Sequence, residues 1–142
     1  MANLPSKTTV IAAFKALRPV HWLKNLSVFA ALVFTGNLFD VRLFDKILLA
    51  FVSFCFITSA TYIINDIFDA GLDRLHPIKR KRPIASGDLS VQLAIFEAVL
   101  LVFLSLFFAS GLDPLFSYII TGYLTLQILY SLGLKNIPII DI

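Results

Sequence analysis

Residues 47–64 form a stretch of 18 side chains without a charge, and this stretch restricts the possible fold more than any other feature. An α-helix rises about 1.5 Å per residue, so such a stretch reaches most of the way across a hydrocarbon core about 30 Å thick. Residues 115–134 are also uncharged, and residues 89–110 contain one charge, Glu97. We interpret these three stretches as transmembrane helices and the shorter uncharged segment 26–39 as a first span.

Composition argues for a membrane protein and against a soluble domain. Hydrophobic residues make up 58% of the 142-residue chain and charged residues 15%, whereas soluble domains carry about 25% charged residues. We therefore expect an all-α integral membrane protein, a multi-pass bundle with about four transmembrane helices. Its single cysteine, Cys55, cannot form an internal disulfide. Its cations flank the spans, so the net charge of +3 gives no reason to expect a nucleic-acid partner.

The distribution of cations predicts the orientation in the membrane. Ten of the twelve Lys and Arg residues precede the first span, lie in the loop 65–88, or follow the fourth span. Cytoplasmic segments of membrane proteins are enriched in these residues, which places the N-terminus and this loop on the cytoplasmic side of the plasma or inner membrane. Residues 16–25 contain Pro19 and Trp22, which suit a first helical turn and a membrane interface, and we expect an interfacial helix there.

Three aspartates follow the second span at a spacing that places them on one side of a helix. Asp66, Asp69 and Asp73 stand at i, i+3 and i+7, and Asn65 borders the same face. Negative charges at a helix C-terminus are opposed by the macrodipole, so stability alone gives little reason for this cluster. Carboxylate and amide oxygens are the ligands that Mg²⁺ prefers, and we predict a magnesium site. The alternative is a solvated acidic helix end balanced by nearby lysines.

A basic run follows the aspartates in the stretch HPIKRKRP. Pro77 disfavours helix at the preceding His76, so we expect the helix to end there. The four cations from Lys79 to Arg82 would then lie on a loop held between two prolines, where Lys and Arg bind phosphate groups. The alternative explanation of this run is membrane topology together with contact to anionic lipid headgroups.

These motifs resemble the UbiA superfamily of intramembrane prenyltransferases. The motif N-D-x-x-D-x-x-x-D of that superfamily is matched by Asn65, Asp66, Asp69 and Asp73, and the segment RPIASG that follows is similar to it as well. The stretches LRPVHWLKN, DRLHPIKRKRPIASGDLS and YSLGLKNIPIID look like the polyprenyl-phosphate phosphoribosyltransferase branch. The resemblance covers nearly the whole chain from Leu17 onward.

The resemblance implies a reaction in which phosphoribosyl pyrophosphate and a polyprenyl phosphate lipid give polyprenyl-phosphoryl-phosphoribose and pyrophosphate. It implies that Asp66, Asp69 and Asp73 are catalytic and hold Mg²⁺. It also implies a set of residues that bind substrate, which comprises Asn65, Lys24, Lys79, Arg80, Arg82, Tyr130 and Lys135. Glu97, inside the third span, is either a functional carboxylate of the membrane interior or a hydrogen-bonded structural one.

Two alternative functions remain open at this point. One is a transferase of the same fold that moves an isoprenoid from its diphosphate to an aromatic acceptor. The other is a non-enzymatic membrane protein that binds anionic lipid or a partner. Members of the superfamily have about twice as many spans and a second aspartate-rich motif. We therefore expect residues 1–142 to form the N-terminal half of such a domain, apparently truncated, and to be inactive alone.

Overall fold

The computed structural model describes residues 7–133, and this part of the chain is helical and contains no strand. Its α-helices are α1 (Lys7–Ala16), α2 (Ala30–Phe34), α3 (Val41–Leu75), α4 (Pro83–Ser86), α5 (Val91–Ser110) and α6 (Pro114–Leu132). Two 3₁₀ segments, Pro19–Phe29 and Lys79–Lys81, complete the regular structure. The prediction of an all-α membrane bundle is confirmed.

Helix α3 carries the second predicted span and continues beyond it through all three aspartates. The Asp40 carboxylate accepts hydrogen bonds from the N–H groups of Arg42 and Leu43, which caps the first turn. The helix ends at Leu75, as expected from Pro77. Its 35 residues extend about 52 Å, well beyond a hydrocarbon core of about 30 Å. The acidic motif therefore lies on the end of the helix that projects past the core.

Within the described residues, three helices are long and apolar enough to cross a membrane: α3, α5 and α6. Helix α5 begins after Ser90, whose hydroxyl accepts a hydrogen bond from the N–H of Leu93. Helix α6 begins after Asp113, whose carboxylate accepts a hydrogen bond from the N–H of Leu115. Both helices coincide with predicted spans, since the segments 89–110 and 115–134 contain almost all of their residues.

The predicted first span, 26–39, has a different form in the structure. The chain runs antiparallel along α3 from residue 18 to residue 34, mostly as the 3₁₀ segment and then as α2. Its contacts with α3 move steadily backward along that helix: Arg18 with Asp66, Trp22 with Ser59, Asn25 with Thr58, and Phe29 with Phe51. A 3₁₀ helix rises about 2.0 Å per residue and an α-helix about 1.5 Å. The 11 residues of the 3₁₀ segment and the 5 residues of α2 therefore extend about 30 Å together.

The predicted interfacial helix 16–25 also requires correction. The α-helix in this region is α1, which ends at Ala16 rather than beginning there. Arg18 interrupts the helix because its backbone is left-handed, with a φ of 52° and a ψ of 57°. Pro19 follows directly and starts the 3₁₀ segment. A residue before proline avoids the right-handed helical region, which gives a local reason for the break.

The interface between α3 and α5 is built from small side chains. The residues that α5 buries recur every three or four positions: Ala94, Ala98, Leu101, Ser105 and Ala109. At its centre, Ser53 and Ser105 each donate a hydroxyl hydrogen bond to the other's backbone carbonyl, at 2.9 Å in both directions. Small residues let two helix backbones approach closely, which supplies packing contacts that the hydrophobic effect does not provide within a bilayer.

Close approach at this interface can be tested with one substitution. Ala94 is fully buried, so Ala94→Leu should force the helices apart and lower the free energy of unfolding by about 1–3 kcal/mol. Val99→Leu adds volume on the exposed side of the same helix and should change that free energy by less than about 0.5 kcal/mol. Reversible unfolding in mixed micelles measures both, and equal effects of the two variants would contradict the packing described here.

Candidate active site

Asp66 is the centre of the polar cluster at the projecting end of α3. Its side chain is only 2% exposed. The Nη2 of Arg18 donates hydrogen bonds to its two carboxylate oxygens, at 2.6 and 2.8 Å, and the Nη1 of Arg82 donates a third at 3.1 Å. A carboxylate removed from water requires such partners, because an unpaired buried charge is strongly destabilising. Asp66 thus connects three parts of the chain: the segment after α1, α3, and the loop after α3.

Arg18 is held in an unfavourable backbone conformation by its side-chain contacts. A left-handed conformation costs about 1–3 kcal/mol for a residue other than glycine. Its guanidinium is ion-paired with Asp66 and also lies over the ring of Tyr62, with 4.7 Å between the central carbon and the ring centroid. Charge-assisted hydrogen bonds and a cation–π contact together offset a strain of this size.

Arg82 brings the loop back to the aspartates. Its Nη1 donates to Asp73 at 2.7 Å as well as to Asp66, so one guanidinium bridges two carboxylates on the same face of α3. Asp73 is buried like Asp66. His76 stabilises the first turn of the loop, because its Nδ1 accepts hydrogen bonds from the N–H groups of Ile78 and Lys79.

The end of the loop follows directly from the segment RPIASG. Pro83 occupies the first turn of α4, where its missing N–H has no consequence. Gly87 ends that helix with a φ of 86°, a value that favours glycine. The N–H of Leu89 then bonds back to the carbonyl of Pro83. This compact turn fixes the position of Arg82 at its start.

Asn65 and Asp69 form a second, adjacent polar pair. The amide nitrogen of Asn65 donates to a carboxylate oxygen of Asp69 at 3.0 Å, and its amide oxygen accepts from the hydroxyl of Ser131 on α6 at 3.2 Å. Asn65 also lines a cavity of about 170 Å³ between α3 and α6, together with Arg18 and Tyr130. The remaining lining residues are Thr61, Tyr62, Tyr123 and Gln127. The cavity is therefore bordered by one residue of each polar group, Arg18 of the Asp66 cluster and Asn65 of this pair.

The expected convergence of three carboxylates on one ion differs from the observed arrangement. Asp66 and Asp73 are both ion-paired with arginine, and residues 7–133 contain no group of three acidic, histidine or cysteine side chains placed to hold a metal. Asp69 supplies a carboxylate, which the amide nitrogen of Asn65 orients. Mg²⁺ is commonly held by one or two protein carboxylates together with water and substrate phosphates. The chemistry of this pair fits such a site, with fewer protein ligands than the spacing predicts.

The other residues predicted to bind substrate lie at different distances from the cavity and the aspartates. Tyr130 lies in the cavity with Asn65. Lys79 and Arg80 are exposed on the short 3₁₀ turn beside the site. Lys24 is exposed on the 3₁₀ segment, six residues beyond Arg18, and does not line the cavity. Lys135 lies outside the described residues.

Sequence reasoning missed Arg18 as a residue of the site. From the sequence alone, Arg18 is only one of the cations that determine topology. The signal that could have identified it is its position directly before Pro19 in the stretch LRPVHWLKN, which marks a break in helical structure. Its pairing with Asp66, 48 positions later, depends on the antiparallel return of the chain along α3.

Comparison with known proteins identifies the family of this arrangement. Residues 21–142 match the model of the UbiA prenyltransferase family. The chain belongs to this family. The match covers most of the 3₁₀ segment, the acidic motif, the basic loop, α5 and α6, so the resemblance inferred from the motifs is confirmed.

Curated proteins with two different activities are similar to this chain. Decaprenyl-phosphate phosphoribosyltransferase of Corynebacterium glutamicum is 42% identical over 97% of the chain and 43% of its own length. The protein of the same name from Mycobacterium tuberculosis is 39% identical over 97% and 47%. Digeranylgeranylglyceryl phosphate synthase of Methanococcoides burtonii is 30% identical over 90% and 43%. The chain thus spans less than half the length of these relatives.

The burial of Asp66 leads to a stability test. Asp66→Asn removes the charge but not the volume, which leaves Arg18 and Arg82 without their shared counter-charge. We expect a loss of about 3 kcal/mol in the free energy of unfolding. Asp45→Asn, at an exposed position near the other end of α3, should change it by less than about 0.5 kcal/mol. Denaturant titration in mild detergent compares the two, and similar values for both would mean that the ion pairs do not support the fold.

Proposed function

We propose that the protein is a Mg²⁺-dependent intramembrane transferase that moves phosphoribosyl from phosphoribosyl pyrophosphate to a polyprenyl phosphate and releases pyrophosphate. The observation that carries the donor and acceptor assignment is the identity of 39–42% to two decaprenyl-phosphate phosphoribosyltransferases across 97% of the chain. Because these relatives are more than twice as long, the proposal concerns the full-length protein.

The arginine pair supports the binding of a diphosphate group. Arg18 and Arg82 each contact the aspartates through a single terminal nitrogen, and a guanidinium carries five N–H donors. The N–H groups that do not face the aspartates can therefore donate hydrogen bonds to phosphate oxygens. Asp66 holds both guanidinium groups in place before the substrate arrives, so little ordering is required on binding. Lys79 and Arg80 add positive charge at the exposed side of the site.

The Asn65–Asp69 pair supports a role in holding Mg²⁺ beside that diphosphate. The ion would supply positive charge that stabilises the leaving pyrophosphate. Asp69 would be its direct protein ligand, oriented by the amide nitrogen of Asn65, while Asp66 and Asp73 position the arginines. Removal of the carboxylate of Asp66, Asp69 or Asp73 should therefore abolish turnover. Tyr130, across the small cavity, would contact the donor from the side of α6.

The orientation in the membrane follows as part of the proposal. The acidic motif, the basic loop and α1 lie at the same end of α3. By the excess of Lys and Arg at that end, we infer that it faces the cytoplasm across the cell membrane. A water-soluble donor then enters from the cytoplasm, and the polyprenyl chain of the acceptor lies among the apolar helices.

The proposal can be tested by release of pyrophosphate from the purified full-length protein in detergent or nanodiscs. We expect release from phosphoribosyl pyrophosphate only when both Mg²⁺ and a polyprenyl phosphate are present. Geranylgeranyl or farnesyl diphosphate should not replace this donor. Efficient transfer from an isoprenoid diphosphate to an aromatic acceptor would instead favour the related prenyltransferase activity.

The metal assignment needs its own control, because Asp66 variants lose stability as well. Asp69→Asn should lower turnover by at least about 100-fold, the usual range for loss of a group that acts mainly in the transition state. It should also weaken binding of Mn²⁺ in the presence of pyrophosphate, measured by electron paramagnetic resonance without turnover. Asp45→Asn, at an exposed position near the other end of α3, serves as the control. Unchanged Mn²⁺ binding in Asp69→Asn would overturn the assignment.

A further inference from the structure

A second polar cavity lies apart from the Asp66 cluster, between α1 and the end of the basic loop. It has a volume of about 280 Å³. Lys15 and Thr8 line it from α1, and Lys81, Pro83 and Asp88 line it from the loop. Neither lysine belongs to the substrate-binding set described above. The cavity therefore joins two cations that are 66 positions apart in sequence.

The cavity is fixed by the packing of α1 on α4. Ala12 and Ala16 of α1 are buried in the same hydrophobic cluster as Ile84 and Leu89. Small side chains on α1 allow its backbone to lie close to the turn, and Lys15 and Lys81 then extend along the edge of this contact. The position of both cations thus depends on a buried core contact rather than on the basic run alone.

The charges in the cavity suit a singly charged anion. Lys15 and Lys81 contribute two positive charges and Asp88 one negative charge. The Asp88 carboxylate also accepts a hydrogen bond from the hydroxyl of Ser86 at 2.8 Å, which orients it within the turn. The balance of one positive charge matches a phosphodiester, which carries one negative charge.

The surroundings of the cavity favour a lipid phosphodiester over a soluble one. On α1, Val10, Ile11 and Phe14 are 55–60% exposed, although this short helix also carries Lys7 and Lys15. An exposed apolar side beside basic residues is typical of a helix that lies in the headgroup region of a bilayer. Its other flank borders an apolar cavity of about 240 Å³, lined by residues of α5 such as Leu93, Phe96 and Leu100.

We propose that Lys15 and Lys81 bind the phosphodiester headgroup of an anionic phospholipid at the membrane surface. The exposed apolar residues of α1 then contact its acyl region. Such a lipid would connect α1 to the loop that carries Arg82, one residue beyond Lys81.

The test is a titration of the full chain in detergent with a short-chain phosphatidylglycerol, with the bound fraction measured by native mass spectrometry. Lys15→Ala and Lys81→Ala should each raise the Kd about fivefold, the change that corresponds to about 1 kcal/mol per basic residue near an anionic lipid. Asp88→Asn should lower the Kd, since it removes the negative charge from the cavity. A gain of affinity cannot arise from misfolding.

Matched variants and competitors separate the possible outcomes. The pair Lys7→Ala and Arg74→Ala removes the same charge at exposed positions outside the cavity and should change the Kd by less than twofold. Phosphatidylcholine should bind at least about tenfold more weakly than phosphatidylglycerol. The proposal is overturned if the control pair acts as strongly as the cavity pair, if Asp88→Asn weakens binding, or if millimolar inorganic phosphate displaces the lipid.

Discussion

The buried carboxylate of Asp66 and its two arginines organise the polar end of this molecule. Three segments that are distant in sequence meet at this one side chain, which is 2% exposed. Arg18 adopts a left-handed backbone to reach it, and Arg82 reaches it from the far end of the basic loop. A buried ion pair gives little net stability relative to an apolar contact of equal size. Its value here is geometric, because it fixes two guanidinium groups at the mouth of the bundle.

The rest of the fold provides the setting for this cluster. The length of α3 carries the aspartates past the hydrocarbon core, and the small-residue interface with α5 holds α3 in place. The 3₁₀ segment returns along α3, and its 11 residues extend about 22 Å, a distance for which an α-helix needs about 15 residues. Its contacts, from Trp22 to Phe29, keep Arg18 level with Asp66.

Local features of the fold could be predicted from the sequence because they depend on neighbouring residues. Uncharged stretches predict α5 and α6, Pro77 predicts the end of α3, and the spacing of the aspartates predicts their shared face. The motif N-D-x-x-D-x-x-x-D was also sufficient to identify the family.

Features that depend on distant contacts could not be predicted in the same way. Spacing shows that Asp66, Asp69 and Asp73 share a face, but it does not show which cations approach that face. The structure divides them, with Asp66 and Asp73 paired to arginine and Asp69 beside Asn65. The first span was likewise expected to be an α-helix, because sequence periodicity does not reveal that Arg18 and Pro19 begin a 3₁₀ segment.

The most direct test of the central claim is a double-mutant cycle between Arg18→Gln and Asp66→Asn. Unfolding free energies of the wild type, both single variants and the double variant give the coupling energy between the two side chains. If Asp66 holds Arg18 at the site, the coupling should be about 2 kcal/mol or more, because Asp66→Asn leaves Arg18 without its counter-charge and Arg18→Gln leaves Asp66 with Arg82 alone. A coupling within about 0.5 kcal/mol of zero would show that the two residues act independently and would contradict the account.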